Sequence, residues 1–143
     1  MAQTTHSSIV IAAPPEQIMA VIADLYDYPE WTSGLESVIV HSSDESGRPL
    51  SATFVGSIGP VKDSYTVGYD WAATEVSWHL TEGDKITGLE GKYTCVDLGD
   101  GSTDVVYHLT VETAIPMVGM VRRKGEKMIV DAALKGLKRY VEG

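Results

Sequence analysis

The chain has 143 residues, the size of one domain. With 43% hydrophobic and 22% charged residues it carries enough apolar material for a core and too little charge density for disorder. Eleven Lys and Arg against 20 Asp and Glu leave a net charge of −9, which repels phosphate backbones and argues against nucleic acid as a partner.

A single Cys excludes an intrachain disulfide framework and a multi-cysteine zinc cluster. The segment from Met1 to Ser8 is polar and lacks the basic start and apolar stretch of a secretory signal. No apolar run reaches the length of a membrane span, so the expected location is the cytoplasm. Seven Tyr and three Trp stand against one Phe. Tyr and Trp need a partner or water for their polar tips when buried, so this bias points to an interior that is wet or occupied.

In chain order, Ser8-Ile9-Val10-Ile11-Ala12-Ala13 reads as a short β-branched strand. Pro14-Pro15-Glu16 then suits the first turn of a helix, with Ile18, Val21, Ile22 and Leu25 at helical spacing. Tyr28-Pro29 breaks it, and a second short helical turn is predicted from Pro29 to near Gly34. From Leu35 to Thr113 the period becomes two, with turn signals at 44–47, 56–60, 72–75, 82–84 and 99–102. Six strands follow, near 36–42, 49–57, 61–72, 75–82, 86–97 and 103–114, as an antiparallel meander with the first strand added at an edge.

Parity assigns the covered face. Val61, Asp63, Tyr65, Val67, Tyr69 and Trp71 share one side with Val76, Trp78, Leu80, Leu89, Gly91, Tyr93, Cys95, Val105, Tyr107, Leu109 and Val111. The other side is mostly polar, so one face meets solvent and the other is apolar with tyrosines.

After Pro116 a helical period holds to the end of the sequence. Val118, Val121, Gly125, Met128, Ile129, Ala132, Ala133, Gly136, Leu137 and Tyr140 form one stripe, opposite Arg123, Lys124, Lys127, Asp131, Lys135 and Lys138. Residues 1–121 hold 4 basic and 17 acidic side chains, whereas 122–143 hold 7 basic and 3 acidic. The expected architecture is therefore α+β: a single domain over 1–143 with the helix-grip fold. A seven-stranded curved antiparallel sheet would wrap a long C-terminal helix, with two short helices after the first strand.

Ile9-Val10-Ile11 with Ala13-Pro14, the run from Asp24 to Trp31, Val76-Ser77-Trp78 and Pro116-Met117 give the chain a likeness to a known family. It resembles the START-like, or SRPBCC, superfamily, and within it the bacterial polyketide cyclase/dehydrase and lipid-transport branch. The resemblance implies a cavity between sheet and helix for a hydrophobic small molecule. It implies no single activity, since that superfamily spans carriers, receptors, cyclases and co-chaperones.

Inward parity and the helix stripe nominate Phe54, Tyr65, Val67, Tyr69, Trp71, Trp78, Leu80, Tyr93, Tyr107, Leu109, Val121, Met128, Ile129 and Ala132 as ligand-binding. Asp63, the one carboxylate of inward parity on a central strand, and Arg122, the one strong base within the stripe, join them as a pair expected to meet at one end of the cavity. Tyr26 and Tyr28 are placed at its rim. His6, His41, His79 and His108 fall on outward parity or before the first strand, and Cys95 faces inward among apolar neighbours. No catalytic set, metal site or cofactor is therefore assigned. The expected function is binding or transport of a lipid, polyketide or quinone-like molecule, with a cyclase/dehydratase using the same cavity as the alternative. Docking of the basic C-terminal helix on an anionic membrane is the weaker reading of its charge, because Lys and Arg there also suit the helix dipole. Sequence assigns no oligomeric state.

Overall fold

The computed structural model describes residues 4–32, 34–58, 61–114 and 119–143, leaving aside the side chains of Ile58, Val61 and residues 119–121. Strand β1 (Thr5–Ile11) leads into helix α1 (Pro15–Ala23), a 3-10 turn (Leu25–Asp27) and the one-turn helix α2 (Tyr28–Trp31). Six strands follow: β2 (Leu35–Ser43), β3 (Pro49–Ile58), β4 (Val61–Trp71), β5 (Glu75–Glu82), β6 (Ile86–Asp97) and β7 (Thr103–Thr113). Helix α3 (Gly119–Glu142) completes the α+β helix-grip fold.

All pairings in the sheet are antiparallel, in the order β1-β7-β6-β5-β4-β3-β2, so β1 is added beside the last strand of a meander. It begins three residues earlier than its apolar run predicts. Thr5, His6 and Ser7 lack a strong strand signal, but they pair with Leu109, His108 and Tyr107, and the partner strand imposes the conformation. Register shifts in β2–β3, β4–β5 and β6–β7 mark bulges, which bend strands and raise local twist, as a sheet curving around a helix requires.

In α1, Pro15 occupies the first turn with Glu16, and Pro15, Ile18, Met19 and Ile22 turn one apolar face to the core. The side of β6 and β7 toward the helices alternates as parity predicts, burying Leu89, Tyr93 and Cys95 and then Val105, Tyr107, Leu109 and Val111.

Helix α3 spans 24 residues, about 36 Å at about 1.5 Å per residue. It packs chiefly on β1 and β7, and also touches α1, α2 and β3. Its buried face is rotated from the predicted stripe. Glu126, Val130, Ala133, Leu134, Gly136 and Leu137 are buried, while Met128 is 66% exposed and Tyr140 39% exposed. The cause is Glu126, which hydropathy assigns to solvent but which is inserted between α3 and the sheet. Its Oε1 accepts from Thr5 Oγ1 at 2.6 Å, and its Oε2 accepts from the Val111 N–H at 2.7 Å and Arg122 Nη1 at 2.9 Å. At the far end, Lys138 Nζ donates to Val10 O at 2.7 Å and the Ala12 N–H donates to Glu142 Oε2 at 2.9 Å. Among the described residues, no helix is long and apolar enough to cross a membrane.

Candidate functional site

Between the concave face of the sheet, α2 and α3 lies a cavity with about 100 Å³ open to the centres of water-sized molecules. A single water needs about 10–15 Å³ on this scale and a cavity of about 150 Å³ holds a benzene, so the enclosed space holds several waters, and a larger ring ligand would extend through the mouth. Its wall comprises Tyr28, Thr32, Gly34, Leu35, Phe54, Ser57, Tyr65, Val67, Tyr69, Trp78, Leu89, Tyr93, Tyr107, Leu109, Ile129 and Ala133. Gly34 and Ser57 are exposed, so the mouth lies where the segment after α2 meets the end of β3. The Ser57 N–H donates to Gly34 O at 2.8 Å and holds that rim together.

Nine of the residues nominated from sequence stand in this wall: Phe54, Tyr65, Val67, Tyr69, Trp78, Tyr93, Tyr107, Leu109 and Ile129. Their rings are contiguous. Tyr93 and Tyr107 lie 4.4 Å apart by centroid, Trp78 lies 5.5 Å from Tyr93 and 5.8 Å from Tyr107, and Tyr69 lies 5.9 Å from Trp78. Phe54 and Tyr65 stack at 5.8 Å, and Tyr28 joins Phe54 at 6.3 Å. The position of Trp78 depends on Gly91 directly across the ladder. A Cβ there would come within 2.2 Å of the indole, so only glycine lets the ring lie flat on β6.

The hydroxyls give this apolar wall its chemistry. Tyr28 donates to Ile22 O at 2.5 Å, but those of Tyr65, Tyr69, Tyr93 and Tyr107 make no hydrogen bond to a described residue. Burial pushes the Tyr65 phenol up to about 12, aided by the charge of Asp63. Burial likewise raises Tyr28, Tyr69, Tyr93 and Tyr107, which line the same cavity, with added repulsion among the phenols themselves. At neutral pH all five are neutral, able to donate and to accept.

The other nominated residues have different places. Asp63 does not line the cavity. Its Oδ2 accepts the N–H groups of Asp84, Lys85 and Ile86 at 3.2, 3.0 and 2.9 Å, and its Oδ1 accepts that of Ser64 at 2.9 Å. It therefore organises the β5–β6 turn, and it does not pair with Arg122, whose partner is Glu126. Trp71 donates Nε1 to Pro49 O at 2.6 Å beneath the Arg48 guanidinium. Leu80 is half-buried against the core outside the wall, and Ala132 is displaced from it by Ala133, one step around the helix. Met128 faces solvent because of the rotation of α3. The side chain of Val121 lies outside the described residues.

Tyr28, assigned to the rim, is in the wall, whereas Tyr26 is 61% exposed and accepts from the Val40 N–H. Sequence nomination misses Thr32, Gly34, Leu35, Ser57, Leu89 and Ala133. Of these, Leu89 carries a signal in its inward parity and Ala133 in its place on the helix stripe, while the other four carry none. Cys95 is buried, and burial pushes its thiol up to about 11, far from a reactive thiolate. His6 and His108 stack on the outer face, their centroids 5.4 Å apart. Among the described residues no three His, Cys, Asp or Glu gather as metal ligands.

The role of Asp63 has a measurable consequence. Burial pushes its carboxyl up, but the N–H groups of Ile86, Asp84, Ser64 and Lys85 outweigh that and hold it below its ordinary 3.8. A depressed carboxyl stabilises fully above the unfolded value, and the contribution is lost as pH falls through the folded one. Asp63→Asn is expected to lower stability at pH 7 by about 2–3 kcal/mol, since a neutral acceptor with one oxygen faces donors that now lack partners. It should also reduce the loss of stability below pH 4, measured by urea unfolding across pH 2.5–7. An unchanged midpoint at pH 7 would contradict the assignment.

A family model described as polyketide cyclase / dehydrase and lipid transport matches residues 11–138. No curated protein matches the sequence. Among solved structures, a START superfamily protein from Mycobacterium smegmatis superposes with a TM-score of 0.88 at 24% identity, covering 97% of each chain. A protein from Thermus thermophilus gives 0.82 at 24% identity, covering 98% of this chain and 97% of the other. The Zhui aromatase/cyclase from a Streptomyces species gives 0.77 at 14% identity, covering 98% and 93%. At these identities the likenesses concern the fold.

Proposed function

The chain belongs to the polyketide cyclase / dehydrase and lipid transport family, and from that premise we propose that it binds a hydrophobic or amphipathic small molecule in the cavity between sheet and α3. The observation that carries this reading is the aromatic wall with four phenol hydroxyls that have no partner among the described residues. These hydroxyls are not sealed from solvent, since the buried side-chain polar atoms without a partner among the described residues are Trp31 Nε1 and His108 Nδ1, so the phenols open onto the cavity. Four of them facing one space favour a molecule that brings oxygen atoms to them, while the rings around them bury its apolar body.

Burying about 200–250 Å² of a bicyclic ring at about 25 cal/mol per Å² supplies about 5–6 kcal/mol, against which the cost of immobilising the ligand is set and to which hydrogen bonds with the phenols add. Calorimetric titration with 2-acetylnaphthalene, together with native mass spectrometry of the purified protein, tests the reading. Binding is expected in the range of roughly 10–100 µM. Gly91→Ala is expected to weaken it at least tenfold, because the new Cβ lifts the Trp78 indole off β6 and into the cavity. Absence of binding by wild type, or indifference to Gly91→Ala in a folded variant, would refute the proposal.

An enzymatic reading, a cyclase or dehydratase working in the same cavity, is favoured by the same phenols and by the likeness to the Streptomyces aromatase/cyclase. No Asp, Glu, His, Lys or Cys lines the cavity among the described residues, so proton transfer would fall to the tyrosines. The cavity would act mainly by holding a flexible substrate in a reactive fold.

A further inference from the structure

Building on the binding reading, we propose that the cavity selects uncharged, flat ring compounds bearing carbonyl or hydroxyl oxygens and rejects carboxylates, including the anions of fatty acids. The first ground is the composition of the wall. None of the described residues lining it carries a positive charge. The stretches 58–61 and 115–121, whose side chains lie outside the description, contain no ionisable residue in the sequence. An anion entering the cavity would therefore leave water without meeting a cation, which disfavours the charged form.

The second ground is the surrounding charge. The two bases that flank these stretches are both engaged, Lys62 by Glu36 at 2.8 Å and Arg122 by the buried carboxylate of Glu126, and neither is in the wall. Asp63 stands two residues from Tyr65, and its charge is felt by the Tyr65 phenol. Its negative field reaches the cavity and opposes another anion. Residues 1–121, which build the sheet, carry 17 acidic and 4 basic side chains, so the approach to the mouth is also unfavourable for an anion.

The third ground is what the wall offers instead. Tyr65, Tyr69, Tyr93 and Tyr107 present neutral hydroxyls that can each donate to a carbonyl lone pair or accept from a ligand hydroxyl. Contiguous rings at 4.4–5.9 Å provide faces for a flat molecule more readily than for a long flexible chain. The enclosed space of about 100 Å³ leaves no room for a long chain, and the body of a ring ligand extends from it through the mouth.

The test compares 2-acetylnaphthalene with 2-naphthoate, the same bicyclic body with a neutral or a charged oxygen group, by calorimetry at pH 7.5. The carboxylate is expected to bind at least tenfold more weakly, equivalent to about 1.4 kcal/mol. Equal affinity overturns the charge selection and leaves the binding reading standing, whereas failure of both compounds to bind removes the two together. Leu35→Lys places a cation in the wall at its half-buried rim, on the inward side of the ladder opposite Gly56. It is expected to narrow the ratio at least threefold, and an unchanged ratio would show that the missing cation is not the origin of the selectivity.

Discussion

Replacing Glu126 with alanine is expected to lower stability by about 3–5 kcal/mol, a large part of the roughly 5–15 kcal/mol that holds a typical domain together. The side chain is 1% exposed and accepts from Thr5, Val111 and Arg122, so it joins β1, β7 and α3 at one point. Alanine leaves the Val111 N–H without an acceptor and strands the Arg122 guanidinium, whose side chain is only 15% exposed, without its carboxylate. The buried charge left alone is the costly part. The double variant Glu126→Leu with Arg122→Met is therefore expected to be more stable than Glu126→Ala, because removing both charges removes both desolvation penalties. Urea unfolding of the wild type and both variants measures this. A single variant within about 1 kcal/mol of wild type would mean that the carboxylate is replaceable by water.

Gly136→Ala sets two physical effects against each other. Helix propensity alone predicts stabilisation by about 1 kcal/mol in the middle of α3. The packing predicts the reverse, since a Cβ at this position would stand 1.7 Å from Trp31 O and 2.9 Å from its carbonyl carbon. Neither atom can yield easily. Trp31 is buried, and its α2 turn is closed by the Thr32 N–H donating to Tyr28 O at 2.8 Å. α3 and α2 would have to separate by more than an ångström, so a net loss of about 3 kcal/mol or more is expected. Thermal unfolding reads the sign directly. Because α2 carries Tyr28 into the cavity wall, any folded fraction should also bind 2-acetylnaphthalene less tightly. A rise in melting temperature would refute the close approach.

The two substitutions also show where the sequence ceases to be legible. Alternation over β4, β6 and β7 is a property of the chain itself, and it is sufficient to place Tyr65, Tyr69, Tyr93 and Tyr107 in the wall. The helix face is harder, because a periodicity scored on hydropathy sends every carboxylate outward. Glu126 violates that rule since its burial is offset by donors from distant elements, which no local pattern records. Met128 is misplaced with it.

Asp63 shows the converse. Its inward parity holds, but its partners are the N–H groups of a turn more than twenty residues away, and turn geometry of that kind is not encoded in spacing. Thr32, Gly34, Leu35 and Ser57 come to the cavity mouth through the approach of one loop to another. That depends on how α2 sits on α3, and hence on Gly136 and Trp31.

The position of β1 beside β7 bears on how the molecule assembles. Strands β2 to β6 pair only with sequence neighbours, so each hairpin closes a short loop, whereas Thr5 must find Leu109 across most of the chain. Closing so large a loop costs more entropy and slows the step that depends on it. During synthesis β1 leaves the ribosome first and waits longest for its neighbour. It is also the strand on which α3 chiefly rests, through Glu126 to Thr5, Lys138 to Val10 and Glu142 to Ala12. The meander can thus form as an open sheet with its tyrosine face to water, and the cavity comes into being only when the two remote segments dock together.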